Sequence, residues 1–294
     1  MLRMVVVVLL CGCAAKQTTM PVDLITQQAI YQDVKYLASD DLQGRYFRSN
    51  EARIAAKYIR DAWRNAGLTP LPNKQSMYLP VDDPRAAPNV AAMRKGSGTQ
   101  YILITAHYDH LQPRTSGKDK IYNGADDNAS GTAALLAIAK ALCSLPAPLD
   151  ASIVLIAFTG EEAGLVGSEH FANHGPIQPQ SIRGLFNLDM ISRGEPNTIF
   201  LEGTPDAPRL SLAIHRANKQ VGLNIVCDKH PDWMYRSDQA PFLELGVPCV
   251  FFSVEDHEDY HRVSDHVEKI DIDLATKTAK LTFLAAVDLA SDVP

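Results

Sequence analysis

The chain has 294 residues, of which 46% are hydrophobic and 21% are charged, and its formal net charge is -6. This length and composition are enough for one large buried core, so we expect a single large domain. The acidic balance argues against a nucleic-acid binder, which needs clustered Lys and Arg to neutralise phosphates. Nucleic acid is therefore not an expected partner.

The amino terminus carries an apolar run, Met4 to Leu10, after a single arginine. The run is too short for a transmembrane helix, which takes about 20 residues. It leads into Leu10-Cys11-Gly12-Cys13, which resembles a bacterial lipoprotein signal in which Cys13 becomes the lipidated first residue. An ordinary signal peptide or a buried start is the alternative. We predict that residues 1–19 are a lipoprotein signal and tether, and that residues 20–294 form one domain, anchored by lipid to a bacterial cell envelope membrane outside the cytoplasm.

An exported chain would retain three cysteines, Cys143, Cys227 and Cys249, in an oxidising compartment. At most one disulfide could form among them, and the sequence does not assign it.

Two amphipathic helices are predicted near the start of the domain. Apolar residues recur with helical spacing between Ile25 and Leu37 and again between Ile54 and Trp63. The segment Ser39 to Arg45 joins the two helices. Between Leu68 and Gln100 the chain carries several Pro and Gly with weak periodicity, so we expect a surface excursion there.

The rest of the chain alternates short apolar runs with helical stretches. Strands are predicted at Tyr101–Ala106, Ser152–Phe158, Leu185–Leu188 and Val247–Phe252, and helices at Ser130–Leu145 and Pro208–Val221. Continuous apolar strands between helices indicate an α/β fold with a mixed, largely parallel central sheet and helices on both faces.

Polar clusters directly follow these predicted strands. They are His107 to His110, Glu161-Glu162, Asp189, and His257 to His261. Because sites in open α/β sheets lie beyond the carboxyl ends of the strands, we expect these clusters to converge.

The residue types in the clusters suit metal-assisted hydrolysis. Asp109 lies two residues after His107, where it can accept a hydrogen bond that fixes the imidazole tautomer offered to a metal. In Asn123 to Gly131, helix capping explains one acidic residue but not both Asp126 and Asp127, so one carboxylate is free to bridge two cations. Glu161 and Glu162 can divide the roles of proton carrier and metal ligand.

Asp189 and His261 complete a set of three carboxylates and two imidazoles. Oxygen and nitrogen donors of this kind suit zinc better than a thiolate site or a calcium cage does.

From about Leu37 to the end, these motifs in this order resemble the co-catalytic zinc aminopeptidases, whose relatives include glutamate carboxypeptidase-like enzymes and glutaminyl cyclases. The segment Tyr36 to Arg45 also looks like a motif that many bacterial members carry. The resemblance implies a zinc-exopeptidase fold and an enzyme that hydrolyses peptides with two zinc ions per chain.

The same resemblance assigns the site residues. It implies that His107 and Asp189 hold one zinc, that Glu162 and His261 hold the other, and that Asp126 bridges them. Glu161 would be the general base and acid, and Asp109 the hydrogen-bond partner of His107. In the family, the peptide bond between the residues matching Asp126 and Asp127 is cis.

Some positions depart from the family pattern. Gln239 replaces the usual His of a Ser-Asp-His segment, and Tyr235 is the tyrosine nearest to the place where some members stabilise an oxyanion. His110, His257 and His266 match no family role, so we expect surface histidines there.

Two other functions compete with the peptidase. A glutaminyl cyclase shares the fold and has a single-zinc version of the site, and a non-catalytic domain could keep the fold without metals. The pair Asp126-Asp127 favours two metals and hydrolysis over the cyclase. The full set of candidate ligands together with Glu161 favours an enzyme over a non-catalytic domain.

Overall fold

The computed structural model describes residues 20–291, which form one eight-stranded sheet flanked by helices. The predicted signal, the tether and Cys13 lie outside the described residues. The strands are β1 Tyr78–Leu79, β2 Asn89–Arg94, β3 Tyr101–His107, β4 Ser152–Phe158, β5 Ile182–Leu188, β6 Thr198–Glu202, β7 Asn224–Cys227 and β8 Cys249–Ser253. Their order across the sheet is β1-β2-β4-β3-β5-β8-β6-β7.

The centre of the sheet is parallel. Strands β4, β3, β5 and β8 run in one direction, whereas β2 and β6 pair antiparallel to the outer members of this group. The predicted mixed, largely parallel α/β sheet is therefore confirmed. Because four parallel strands end at the same edge, the loops that follow them meet there.

Helices cover both faces of the sheet. They are α1 Gln27–Leu37, α2 Asn50–Ala66, α3 Gly131–Cys143, α4 Val166–His174, α5 Pro208–Val221, α6 Ala240–Glu244 and α7 Ile272–Ser291. Alternate residues of the strands point to opposite faces. On β3, Ile102 and Ile104 join the core under α1, α2, α3, α5 and α7, while Leu103 joins the core under α4 and α6.

The segment between Leu68 and Gln100 differs from the predicted surface excursion. It contains β1 and β2, and β2 is buried between β1 and β4. Its inward side chains include Ala91 and Ala92, which carry little β-strand signal and become buried only through pairing with β4.

The three described cysteines, Cys143, Cys227 and Cys249, are free thiols. Among residues 20–291, no helix combines the length and the apolar character that crossing a bilayer requires.

Candidate metal centre

The polar clusters converge at the carboxyl edge of the parallel strands. His107 ends β3, Asp189 follows β5, and Asp127 lies in the turn before α3. The Nε2 atom of His107 is 3.1 Å from Asp189 Oδ1 and 3.4 Å from Asp127 Oδ1. All three residues are buried, so their donor atoms form one compact group.

A second group shares Asp127 with the first. The Nε2 atom of His261, in the loop after β8, lies 3.2 Å from Asp127 Oδ2 and 3.1 Å from Glu162 Oε2. One oxygen of Asp127 thus faces His107 while the other faces His261. The expected pairs, His107 with Asp189 and Glu162 with His261, are brought together.

The predicted bridging residue is wrong by one position. Asp126 is fully buried, but its Oδ1 atom accepts hydrogen bonds from the amide and hydroxyl of Ser192 at 2.7 and 2.6 Å, and its Oδ2 atom lies 3.1 Å from His257 Nε2. These contacts turn Asp126 away from the two groups, and Asp127 takes the shared position. The cis peptide bond correspondingly joins Asp127 to Asn128.

The turn that carries Asp127 is fixed by its surroundings. The carboxylate of Asp265 accepts hydrogen bonds from the amides of Asp126 and Asp127 at 3.0 and 3.1 Å. Gly124 has a φ of +57°, and a Cβ there would lie 2.1 Å from the carbonyl oxygen of Asp127, so the close approach requires glycine.

A buried arginine holds the same turn from the other side. Arg45 is fully buried, and its guanidinium donates to the carbonyls of Tyr108 at 2.8 Å, Asn123 at 2.8 Å and Gly124 at 3.1 Å, and also to that of Leu37. It therefore joins the end of α1 to the loops that carry the site. Burial lowers the pKa of Arg45 to about 10, and neighbouring carboxylates such as Asp109 oppose this shift.

Asp109 contacts the site differently from the expectation. His107 Nδ1 lies 3.2 Å from the main-chain carbonyl oxygen of Asp109 but 3.8 Å from its carboxylate. The hydrogen bond that orients His107 therefore goes to the main chain. The Asp109 carboxylate instead accepts the amide of Glu161 at 3.2 Å, and burial raises its pKa to about 6.

The two glutamates have different neighbours. Glu162 lies between His261 and His110. Glu161 lines an open cleft beside Asp127, Asp189 and His261, and burial raises its pKa well above the usual value. Of the two glutamates, Glu161 is the one that lines the cleft.

Two of the three expected surface histidines are in fact at the site. His110 is fully buried with Nδ1 2.5 Å from Glu162 Oε1, and His257 contacts Asp126. His266 is partly exposed, at 3.7 Å from Asp119. Both lie in polar clusters that follow predicted strands, but their burial depends on loops that come together only in the folded chain.

The segment ahead of β8 supports Asp189. Ser237 donates to Asp189 Oδ2 at 2.6 Å, and Asn187 donates to both Ser237 and Gln239. Gln239 is fully buried and donates onward to the carbonyl of Trp233, so it serves as a structural link. Its position therefore does not face the cleft.

Tyr235 is not among the residues that line the cleft, and it is 64% exposed. The neighbouring Arg236 and the more distant Tyr260 line the cleft instead. Tyr260 stacks on the imidazole of His261, with ring centroids 3.9 Å apart.

Buried negative charge dominates this region. Arg45 is the buried cation nearest to it, whereas six aspartates are buried around the two groups. They are Asp109, Asp126, Asp127, Asp189, Asp238 and Asp265. Among the described residues, both carboxylate oxygens of Asp238 and one of Asp109 find no hydrogen-bond partner. Since buried charges are costly unless they are paired, this set of donors suits bound cations.

Comparison with known proteins places these features in a family. Residues 89–286 match the profile described as Peptidase family M28. Aminopeptidase YwaD of Bacillus subtilis is 28% identical over 197 residues, which cover 62% of this chain and 40% of that protein. A probable zinc metalloprotease of Pyrenophora teres f. teres is 26% identical over 263 residues, covering 74% of this chain and 54% of that protein. The chain thus spans about half the length of the curated relatives it matches.

Solved structures share the fold. The LapA aminopeptidase of Legionella pneumophila superposes with a TM-score of 0.78 at 19% identity, over 93% of this chain and 74% of that chain. A glutaminyl cyclase of Porphyromonas gingivalis superposes with a TM-score of 0.72 at 19% identity, over 89% of this chain and 98% of that chain. At such identities the likeness shows the fold alone.

Proposed function

Since the chain belongs to peptidase family M28, we propose that it is a zinc-dependent peptidase that holds two zinc ions and releases residues from the amino terminus of peptides. The observation that carries the proposal is the carboxylate of Asp127, which is shared by two groups of donor atoms. His107 and Asp189 belong to one group, and Glu162 belongs to the other, with His261 at 3.1 Å and His110 at 2.5 Å from its carboxylate oxygens.

The spacing of the donor atoms supports zinc in both groups. Tetrahedral zinc with bonds of about 2.0 to 2.1 Å has ligand atoms about 3.3 Å apart. The four distances that join histidine nitrogens to carboxylate oxygens are 3.1, 3.4, 3.2 and 3.1 Å. When bound, zinc supplies Lewis acidity, which polarises a substrate carbonyl and makes water a better nucleophile.

Glu161 is the proposed proton carrier. Its carboxylate lines the cleft, and its main-chain amide is held by Asp109. Because burial raises its pKa, Glu161 is a stronger base than an exposed carboxylate, and it can accept a proton from water and return it to the leaving amine.

The charge of the cleft favours action at the amino terminus. Its acidic lining includes Asp256, which complements a protonated amino group. Among the described residues that line the cleft, Arg236 is the only Lys or Arg, and it lies 3.6 Å from Asp256. A substrate carboxylate would therefore compete with Asp256 for this cation, which disfavours carboxypeptidase action.

A panel of aminoacyl anilides, each with a free or an acetylated amino group, tests this specificity. We expect hydrolysis of the free forms only, and its loss on chelation. Equal hydrolysis of acetylated substrates would contradict aminopeptidase action. Cyclisation of an amino-terminal glutamine without peptide hydrolysis would favour a glutaminyl cyclase.

We also propose that Cys13 is lipidated and anchors the chain to a bacterial cell envelope membrane, on the periplasmic side or at the cell surface. The proposal rests on the order of residues from Met4 to Cys13. A lipid-anchored exopeptidase would meet peptides that arrive from outside the cytoplasm.

A further inference from the structure

His110 makes one close polar contact, and that contact is with a proposed zinc ligand. Its side chain is fully buried, and its Nδ1 atom lies 2.5 Å from Glu162 Oε1. Its Nε2 atom has no hydrogen-bond partner among the described residues. Since a carboxylate only accepts hydrogen bonds, the imidazole is the donor and Nδ1 carries the proton.

The distance from the imidazole nitrogen to its carboxylate partner differs between His110 and the two proposed zinc ligands, His107 and His261. His107 and His261 lie 3.1 to 3.4 Å from their carboxylate partners, as atoms bound to one ion would. The His110 contact is shorter, at 2.5 Å, and lies just below the roughly 2.7 to 2.9 Å of charge-assisted N–H···O hydrogen bonds, while His110 Nδ1 is 3.7 Å from Asp127 Oδ2. The short contact joins His110 to Glu162 itself, although the His110 ligand atom also lies within 4.8 Å of those of Asp127 and Glu162, close enough for one ion to reach all three.

Glu162 is consequently held at both oxygens. Oε1 faces His110, and Oε2 faces His261 at 3.1 Å. Oε2 is thus the oxygen that faces His261, whose Nε2 atom also lies 3.2 Å from Asp127 Oδ2.

The imidazole of His110 has little room to turn. A Cβ on Gly124 would lie 2.7 Å from the His110 ring, and the rings of Tyr122 and His261 pack edge-on against it at centroid distances of 6.3 and 5.8 Å. These neighbours therefore fix the orientation of the donor.

We propose that His110 is a positioning residue that donates Nδ1–H to Glu162 Oε1 and makes Glu162 bind the second zinc through Oε2 alone. This proposal rests on the two-zinc site proposed above. Without the hydrogen bond, Oε1 is free to rotate or to bind the ion as well, so the second site loses both affinity and its defined coordination. Outer hydrogen bonds of this kind typically contribute about 10- to 100-fold to metal affinity.

Two substitutions distinguish a hydrogen-bond donor from a ligand. His110→Ala removes the donor, whereas His110→Asn retains an N–H group close to the position of Nδ1. His266→Ala is the matched control, because His266 is partly exposed and contacts only Asp119 at 3.7 Å among the described carboxylates. Each protein is stripped of metal and titrated with Zn²⁺ against a competing chelator, and then with Co²⁺ while the visible absorption is recorded.

We expect His110→Ala to weaken the second Zn²⁺ by about 10- to 100-fold and to change the Co²⁺ spectrum toward higher coordination. His110→Asn and His266→Ala should keep wild-type affinity and spectrum. Equal loss in both His110 variants would identify the imidazole as a ligand and overturn the proposal. Unchanged affinity in His110→Ala would overturn it as well.

Failure of the underlying function is distinguishable from failure of this proposal. A wild-type chain that binds fewer than two Zn²⁺ would overturn the two-zinc site itself, whatever the variants do. Thermal melting of the metal-free proteins shows whether His110→Ala is folded. If it is not, the affinity of His110→Asn alone decides, because a ligand role requires that variant to lose the second Zn²⁺.

Discussion

Exchanging each of the adjacent glutamates for glutamine separates proton transfer from metal binding. Glu161 lines the cleft, whereas Glu162 lies between His261 and His110. Glu161→Gln keeps the size and polarity of the side chain but removes the basic oxygen. Glu162→Gln replaces a charged ligand with an amide, which is a poorer donor for zinc.

The expected magnitudes differ in kind. General acid-base catalysis typically contributes about a hundredfold to ten-thousandfold, so Glu161→Gln should lose about 2.7 to 5.5 kcal/mol of transition-state stabilisation. Its zinc content should stay at the wild-type level. Glu162→Gln also breaks the contacts with His261 and His110, so we expect it to lose the second zinc first and activity as a consequence.

Zinc stoichiometry measured beside kcat for both variants is the decisive assay. Excess zinc should restore part of the activity of Glu162→Gln but none of that of Glu161→Gln. If Glu161→Gln loses zinc while Glu162→Gln keeps both ions and only slows, the two roles are reversed.

Three other substitutions test separate parts of the structure. Asp127→Asn should lower the zinc content and abolish activity. Asp126→Asn should keep both zinc ions but lower the free energy of unfolding by about 1 to 3 kcal/mol, since its partners are Ser192 and His257. Metal analysis that shows the reverse would make Asp126 the shared ligand. Arg45→Met should lower the free energy of unfolding in urea by about 3 kcal/mol or more, because buried carbonyls lose a charged donor. An unchanged urea midpoint would refute the proposed role of Arg45 in holding the loops of the site. Cys13→Ser should release the protein from the membrane fraction, and continued membrane association would mean that the lipidation prediction is wrong.

The sequence predicted the parts of the fold that depend on local pattern. The apolar run Ser152–Phe158 coincides with β4, and Pro208–Val221 coincides with α5, because continuous apolar residues and helical spacing are read within one segment. Strand β2 was missed, since its alanines become strand residues only by pairing with β4.

The site was predicted less completely, for a related reason. Residues that follow strands, such as His107 and Asp189, could be placed because the edge of a parallel sheet gathers them. The choice between Asp126 and Asp127 could not be made locally, because it is decided by residues far along the chain: Ser192 donates to the Asp126 carboxylate, and Asp265 accepts from the Asp127 amide. The burial of His110 against Glu162 is likewise a tertiary contact.

The most direct test of the central claim is the zinc content of the purified chain, measured together with hydrolysis of an aminoacyl anilide before chelation, after chelation and after zinc is restored. We predict two zinc ions per chain, because both donor groups share Asp127. Hydrolysis should be lost completely in the metal-free protein and should recover as zinc returns. Full hydrolysis by a verified metal-free sample would contradict the zinc mechanism.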